Sequence, residues 1–329
     1  MIQFEHVYKR YGNNVVVKDF TLNIKENEFF VLIGPSGSGK TTTLKMINQL
    51  IPLSEGSIHI QGKNINDYDI QELRWNIGYV LQQIALFPNM TVEENILVVP
   101  EMLKWPEEKK HDRVTELLTT VNLDPDKYRQ RAISELSGGE QQRIGVVRAL
   151  AADPDIILMD EPFSALDPVS RHSLQEDIKD LHHKYNKTIV FVTHDMQEAM
   201  KLADRMCLMN MGNIEQIGTP DEILEQPSND FVQNFIKTGL PQSYMDARKT
   251  VTVKELVQNQ FADLVTLESI EGLPLLSEDN TLDDLNNILS ENECIAVQLS
   301  ESKEAYLINR QHLIQYYASR NNPVREAVS

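Results

Sequence analysis

The chain opens with one rhythm and then changes to another. Apolar and polar residues alternate at Ile2, Phe4 and Val7, with further apolar positions at Val15-Val16-Val17 and at Phe20, Leu22 and Ile24. A period near two predicts half-buried strands, separated by the turn Gly12-Asn13-Asn14. Phe29-Phe30-Val31-Leu32-Ile33 then runs without a polar residue, as in a strand covered on both faces. Ile77-Gly78-Tyr79-Val80-Leu81, Ile156-Ile157-Leu158-Met159 and Thr188-Ile189-Val190-Phe191-Val192 read the same way, and Ser57 to Gly62 is a further strand ending in a turn. Helices are expected from Thr42 to Ile47, through Val146, Val147, Ala149 and Leu150, and from Ser173 to about Tyr185. Strands alternating with helices predict an α/β fold with a largely parallel sheet and its chemistry at strand C-termini.

One segment departs from that alternation. Asn89 to about Arg131 reads as helix, with a capping pattern at Thr91-Val92-Glu93-Glu94 and with Pro100, Pro106 and Pro125 expected to divide it. It is a helical insertion. The pattern weakens after Pro220, and Leu240-Pro241-Gln242-Ser243 reads as a linker.

Composition narrows the choices. A chain of 329 residues favours two domains over one core, and 41% hydrophobic with 24% charged residues is ordinary for a globular protein. The net charge of −18 argues against nucleic acid or an anionic membrane as a direct partner. Cys207 and Cys294 stand far apart, which excludes a disulfide framework and a cysteine-built zinc site, and fits a reducing compartment. No signal peptide is expected at the N-terminus, and no apolar run reaches the roughly 20 residues that span a bilayer. Work at a membrane would need other subunits to hold the chain there.

The strongest chemical signal is Gly34-Pro35-Ser36-Gly37-Ser38-Gly39-Lys40-Thr41, which fits G-x-x-x-x-G-K-[ST] between a strand and a helix. Glycines let the backbone wrap phosphates and aim its N–H groups inward, and the new helix adds positive charge at its N-terminus. Lys40 can reach the β- and γ-phosphates, and the Thr41 hydroxyl can ligate Mg²⁺. Downstream, a buried strand ends in Asp160-Glu161: Asp160 can hold Mg²⁺ through its water shell, and Glu161 can polarise a water. His194 ends another strand and can contact the γ-phosphate. Asp-Glu pairs and single histidines are commonplace. Their order behind a phosphate loop is not.

That order resembles the ATP-binding subunits of ABC transporters over about residues 1–240. Gly34 to Thr41 is similar to Walker A, and Ile156 to Asp160 to Walker B. Leu136-Ser137-Gly138-Gly139-Glu140 resembles the family signature, which other P-loop ATPases lack. Ser164-Ala165-Leu166-Asp167 matches the D-loop, Gln82 the Q-loop and His194 the switch histidine. The resemblance implies a P-loop NTPase with a RecA-like core, an N-terminal antiparallel β subdomain and a helical subdomain at about 89–155. It implies ATP and Mg²⁺ as cofactors. Tyr11, Gly34, Pro35, Ser36, Gly37, Ser38, Gly39, Lys40, Thr41 and Thr42 would bind nucleotide, with Tyr11 stacking on adenine. Glu161, His194 and Gln82 would be catalytic, and Thr41, Gln82 and Asp160 would hold the metal. Ser137, Gly138, Gly139, Glu140 and Asp167 would meet the nucleotide of an opposite subunit, in a head-to-tail homodimer. Glu140 stands where glutamine is frequent, and the Ser-Gly-Gly backbone contacts are expected to tolerate it.

The Q-loop region from Gly78 to Ile96, with Lys45-Met46-Ile47-Asn48, Val99-Pro100-Glu101 and Ala151-Ala152-Asp153-Pro154, is similar to the quaternary-amine importer subgroup. Ala132-Ile133-Ser134 departs from the Tyr-Pro pair usual before its signature. The resemblance implies import of glycine betaine, carnitine or choline, with permease subunits as direct partners, a substrate-binding protein as an indirect one, and a place on the cytoplasmic membrane face. An amino-acid importer is the alternative, and a soluble ABC ATPase of translation or DNA repair is a further one.

Residues 245–329 hold fourteen acidic and seven basic residues and no catalytic constellation. A helix from Asn280 to Leu285, strands at Cys294 to Leu299 and Ala305 to Asn309, and a helix from Gln311 to Tyr317 are expected. This small α/β unit looks like about one and a half repeats of a CBS module. The resemblance implies either a sensor of ionic strength or of a regulatory nucleotide such as cyclic di-AMP, or a dimerisation appendage.

Overall fold

The computed structural model describes residues 1–241 except Ile84 and Ala165, and thereafter 253–258, 261–265, 270, 273–278, 280, 284–285, 288–289, 292–298, 305–313 and 315. Gln242 and Ser243 of the expected linker, Thr281 to Asp283, Leu299, Ile314, Tyr316 and Tyr317 lie outside the described residues, as does Ala165 of the D-loop. The chain divides into two units, Met1–Pro241 and Gln242–Ser329.

In the first unit the alternating residues form β1 (Ile2–Tyr11) and β2 (Asn14–Ile24), which pair antiparallel. The second is one strand where the sequence suggested two pieces. Register shifts between Val7 and Arg10 absorb the irregular spacing, and Asp19 takes a positive φ of 45° beside them. The apolar run forms β3 (Phe29–Ile33), buried at all five positions, and the loop after it leads into α1 (Lys40–Ile47). Next come β4 (Glu55–Ile60), β5 (Lys63–Asn64), α2 (Ile70–Trp75) and β6 (Ile77–Val80).

The helical insertion contains α3 (Val92–Met102), α4 (Glu107–Thr120) and α5 (Pro125–Tyr128), followed by α6 (Gly138–Leu150). The three prolines do not all act as breaks. Pro100 lies inside α3, Pro106 precedes α4 as its N-cap, and Pro125 occupies the first turn of α5, where a missing N–H is harmless. Then follow β7 (Ile156–Asp160), α7 (Pro168–Tyr185), β8 (Thr188–Thr193), α8 (Met196–Leu202), β9 (Arg205–Asn210), β10 (Asn213–Gly218), α9 (Pro220–Glu225) and α10 (Asp230–Gly239). α7 begins five residues earlier than its apolar pattern suggested, because Asp167 caps it and Pro168 opens it.

Two sheets result. The antiparallel one has the order β2-β1-β4-β5, and the six-stranded one the order β10-β9-β3-β8-β7-β6. All neighbours in the second are parallel except β9 and β10, a closing hairpin the sequence reading did not anticipate. Phe4 and Phe20 of the first sheet and Leu32, Leu158 and Val190 of the second share one core with Leu44, Met46 and Ile47 of α1. Each of those three α1 side chains is fully buried, a contribution of about 1.5–3 kcal/mol apiece. The helix that starts at the phosphate loop is thereby fixed to the sheet.

The second unit has its own core and a four-stranded sheet, β11 (Asp263–Val265), β14 (Ala305–Asn309), β13 (Cys294–Gln298) and β12 (Leu275–Ser277), in that order. β13 and β14 are the two expected strands, paired antiparallel, whereas β11, β12 and the helix Val253–Gln258 are additional.

Gly78 sets how closely β6 approaches α6. A Cβ there would sit 2.3 Å from the Ala149 carbonyl oxygen, a backbone atom that cannot rotate away. Gly78→Ala is expected to cost about 1–3 kcal/mol. The check is a lower urea midpoint with an unchanged denaturant slope.

Candidate functional site

Strand register decides where the chemistry collects. Ile33 at the end of β3 stands opposite Thr193 of β8, and Asp160 at the end of β7 stands opposite Val192. The chain therefore leaves the sheet at three adjacent strand ends, which carry the phosphate loop, Glu161 and His194.

The loop needs glycine at two positions. Gly34 has φ +152°, and a Cβ there would meet the Met209 carbonyl oxygen at 2.1 Å; Gly39 has φ +103°, with the Val16 oxygen 2.8 Å from a Cβ position. No side chain caps α1, so its N-terminal N–H groups remain available to an anion. Lys40 is buried and donates to the carbonyls of Gly34 at 2.8 Å and Pro35 at 2.9 Å. Burial pushes its pKa down, while the charges of Glu161 and Asp160 oppose that shift. The Ser38 hydroxyl is buried and has no hydrogen-bond partner among the described residues. Such a group is costly unless something satisfies it, and a phosphate oxygen would. Ser36 and Gly37 form the exposed rim, and Thr42 is half-buried in the first turn of α1.

Thr41 Oγ1 donates to Asp160 Oδ1 at 2.7 Å, so the hydroxyl and carboxylate expected to share a metal already adjoin. Asp160 is 3% exposed, and Lys45 Nζ lies 3.8 Å from its Oδ2. Oxygen donors in this pairing suit Mg²⁺. The next residue, Glu161, takes φ +46°, a conformation that costs a non-glycine residue about 1–3 kcal/mol. Its N–H donates to the Val192 carbonyl at 3.0 Å, and the Ser164 hydroxyl donates to its carbonyl at 3.0 Å. Glu161 Oε2 lies 3.2 Å from His194 Nδ1 and 3.4 Å from Gln82 Nε2. The structure thus brings the three expected catalytic side chains onto one carboxylate oxygen. Gln82 is held toward Glu161, by a contact at the long limit of a hydrogen bond.

The remaining expected residues lie elsewhere on the unit. Ser137 caps α6 in a capping box with Glu140: the Glu140 N–H donates to Ser137 Oγ, and Glu140 Oε2 accepts from Ser137 N at 2.7 Å and from Ser137 Oγ at 2.8 Å. The Tyr128 hydroxyl donates to Glu140 Oε1 at 2.5 Å, and that bond holds the carboxyl below its usual pKa. Among the described residues, none of the partners of Ser137 belongs to the phosphate loop. Gly138 is exposed, and a Cβ on Gly139 would press Ser170 at 3.1 Å. Asp167 accepts from the N–H groups of Val169 and Ser170, both at 3.0 Å. The Tyr11 ring is 50% exposed, with Lys9 Nζ 4.7 Å from its centroid.

Sequence reading missed several groups around these. Arg143 pairs with the buried Asp177 at 2.9 Å, joining α6 to α7. Glu198 is buried on α8 and accepts from Thr193 Oγ1 at 2.6 Å. Glu198 stands in the first turn of α8, where an acidic residue is ordinary, and its burial is invisible in a sequence.

The ABC transporter family profile matches residues 17–164. The chain is 52% identical over 293 residues to the glycine betaine/carnitine/choline transport ATP-binding protein OpuCA of Bacillus subtilis (strain 168), covering 86% of this chain and 77% of that protein. It is 50% identical over 287 residues to the carnitine transport ATP-binding protein OpuCA of Listeria monocytogenes serotype 1/2a (strain 10403S), covering 87% and 71%. Among solved structures, the dimeric post-hydrolysis state of the ATP-binding cassette MJ0796 bound to ADP and Pi superposes with a TM-score of 0.59 at 35% identity, over 67% of this chain and 99% of that one.

Glu198 makes stability depend on pH. Burial, first, and the charge of Asp195 push its pKa up to about 7 from 4.5, against the opposing bond from Thr193 and the charges of Arg171 and His194. Between those values the unfolded chain ionises the group while the folded chain keeps its proton. Folding stability therefore falls as pH rises through this window, by at most about 1.4 kcal/mol per pH unit. Glu198→Gln is expected to gain stability relative to the parent between pH 5 and pH 8 in urea titrations. A constant difference would show that Glu198 titrates normally.

Proposed function

The chain belongs to the ABC transporter family, and we propose that it is the ATP-hydrolysing subunit of a quaternary-amine importer. Glycine betaine, carnitine and choline are the substrates, as in the names of the relatives that share half its residues. One observation carries the enzymatic part: a carboxylate, Glu161, contacted by Gln82 and His194, directly after an aspartate bonded to the phosphate-loop threonine. ABC cassettes form dimers and work with transmembrane permease components. No helix among the described residues is long and apolar enough to cross a membrane.

In this reading the loop N–H groups and Lys40 hold the β- and γ-phosphates, and Tyr11 stacks on adenine. Thr41 and Asp160, with Gln82, would hold Mg²⁺, which would supply charge neutralisation for phosphate oxygens. Glu161 polarises the attacking water, and His194 with Gln82 fixes its place. Ser137, Gly138, Gly139 and Glu140 head a helix toward the nucleotide of a second, head-to-tail copy, with Asp167 at the same junction. Closure around two nucleotides, and reopening after hydrolysis, drive the permease between its outward and inward states.

The coupling surface in this reading is Gln82 to Asn95. Asn95, fully buried, accepts from the Phe87 N–H at 2.8 Å and donates to the carbonyl oxygens of Phe87 at 3.1 Å and Thr91 at 2.9 Å. Those bonds brace a loop whose Phe87 and Met90 stay 46% and 38% exposed, which suits an apolar permease helix. The C-terminal unit we assign to regulation, by ionic strength or a nucleotide, or to dimerisation, on its resemblance to a CBS module.

Two measurements test the reading. Glu161→Gln should lower phosphate release by about 100-fold or more while gel filtration shows a stable ATP-bound dimer; turnover near the parental rate removes Glu161 from the catalytic role. Cells lacking the subunit should lose uptake of labelled glycine betaine, carnitine or choline under osmotic stress. Loss of amino-acid uptake alone would favour the amino-acid importer.

A further inference from the structure

The side of Asp160 that faces away from Thr41 has its own surroundings. Thr41 and Lys45 are four apart on α1 and so share one face, which points at the end of β7. From that face Thr41 reaches Oδ1 at 2.7 Å, and Lys45 Nζ stands 3.8 Å from Oδ2. On the neighbouring strand, Tyr79 is paired in parallel with Leu158. Residues two apart on a strand point to one side, so Tyr79 and Asp160 lie on the same face as diagonal neighbours, within reach of a tyrosine. The Tyr79 hydroxyl is buried and faces the Asp160 carboxylate, yet among the described residues it makes no hydrogen bond in good geometry. A buried hydroxyl without a partner costs stability unless the site completes it.

We propose that Tyr79 and Lys45 are positioning residues for Asp160: they engage its Oδ2 edge and keep Oδ1 turned toward Thr41, where the metal of the proposed ATPase would sit. A carboxylate held on one side only can swing about its last torsion, and the partners of a metal ligand commonly set its orientation and affinity. Lys45 adds a second function. Asp160, Glu161 and Lys40 alone leave the strand end net negative, and a cation beside Oδ2 offsets that excess without occupying the metal position. Neither residue touches phosphate or the attacking water in this arrangement. They act through Asp160.

The inference rests on the ATPase reading above, and its test separates the two. Mn²⁺ binding to the full-length chain with ATP, followed by electron paramagnetic resonance at low temperature to suppress turnover, gives a metal affinity. Fluorescent ATP analogue binding in EDTA gives the metal-free nucleotide affinity. Tyr79→Phe, which keeps the ring, and Lys45→Met are each expected to weaken Mn²⁺ about 10-fold, with metal-free nucleotide affinity unchanged within about twofold. Lys45→Arg, which keeps the charge, should restore most of the loss. Mn²⁺ affinity at the parental value in both Tyr79→Phe and Lys45→Met overturns the proposal. So does equal loss of metal-free nucleotide binding, which would assign the residues to packing of the phosphate loop. If the parent chain itself binds no Mn²⁺ with ATP, the ATPase reading fails and this inference with it.

Discussion

The site depends on three parallel strands ending in register. β3, β7 and β8 run side by side through the core, and each stops where its neighbours stop. A parallel sheet does this because its strands enter from one edge and leave by the other, with helices returning the chain each time. The phosphate loop, the Asp160-Glu161 pair and His194 are far apart in sequence and adjacent in space for that reason alone. A shift of one residue in β7 would turn Asp160 to the opposite face of the sheet and break its bond to Thr41.

Register also explains where strain is found. Glu161 must leave β7 immediately, since Asp160 before it is tied to α1 and the Val192 carbonyl receives its N–H. The positive φ at Glu161 follows from those two anchors. The turn aims the side chain back across the strand end toward His194 instead of onward with the chain. The same economy appears in the phosphate loop, where glycine at 34 permits the backbone of Met209 to pass within contact distance.

Much of this was legible in the sequence, and the parts that were not share a cause. The apolar runs gave the central strands, because burial on both faces leaves no polar residue in them. The phosphate loop and the residues at strand ends were readable because their chemistry demands fixed residue types. Pro100 was misread as a break, since it stands in the last turn of α3, where the one backbone hydrogen bond it removes leaves the preceding turns intact. α7 started early because a capping aspartate, not apolar periodicity, defines its first turn. β9 and β10 were missed: half-buried residues in β10 blur the alternation that marks a strand. Glu198, Tyr79 and Lys45 carry no motif. What distinguishes them is what stands beside them in three dimensions.

The helix end at Ser137 carries a charge that bears on the proposed dimer site. Its first turn offers the donors of Gly138 and Gly139, but Glu140 already turns a carboxylate onto Ser137, and Tyr128 keeps that carboxylate ionised. A negative charge at a helix N-terminus satisfies part of the dipole that would attract another anion. Glutamine at this position would leave the dipole free. Glu140 therefore exchanges anion attraction for a rigid capping box, and the helix end is ordered before any nucleotide arrives. In the composite site proposed above, most of the attraction for phosphate would have to come from the opposite loop, with its buried Lys40 and uncapped α1. The signature end would contribute shape and hydrogen-bond direction, which the capping box already fixes within one chain.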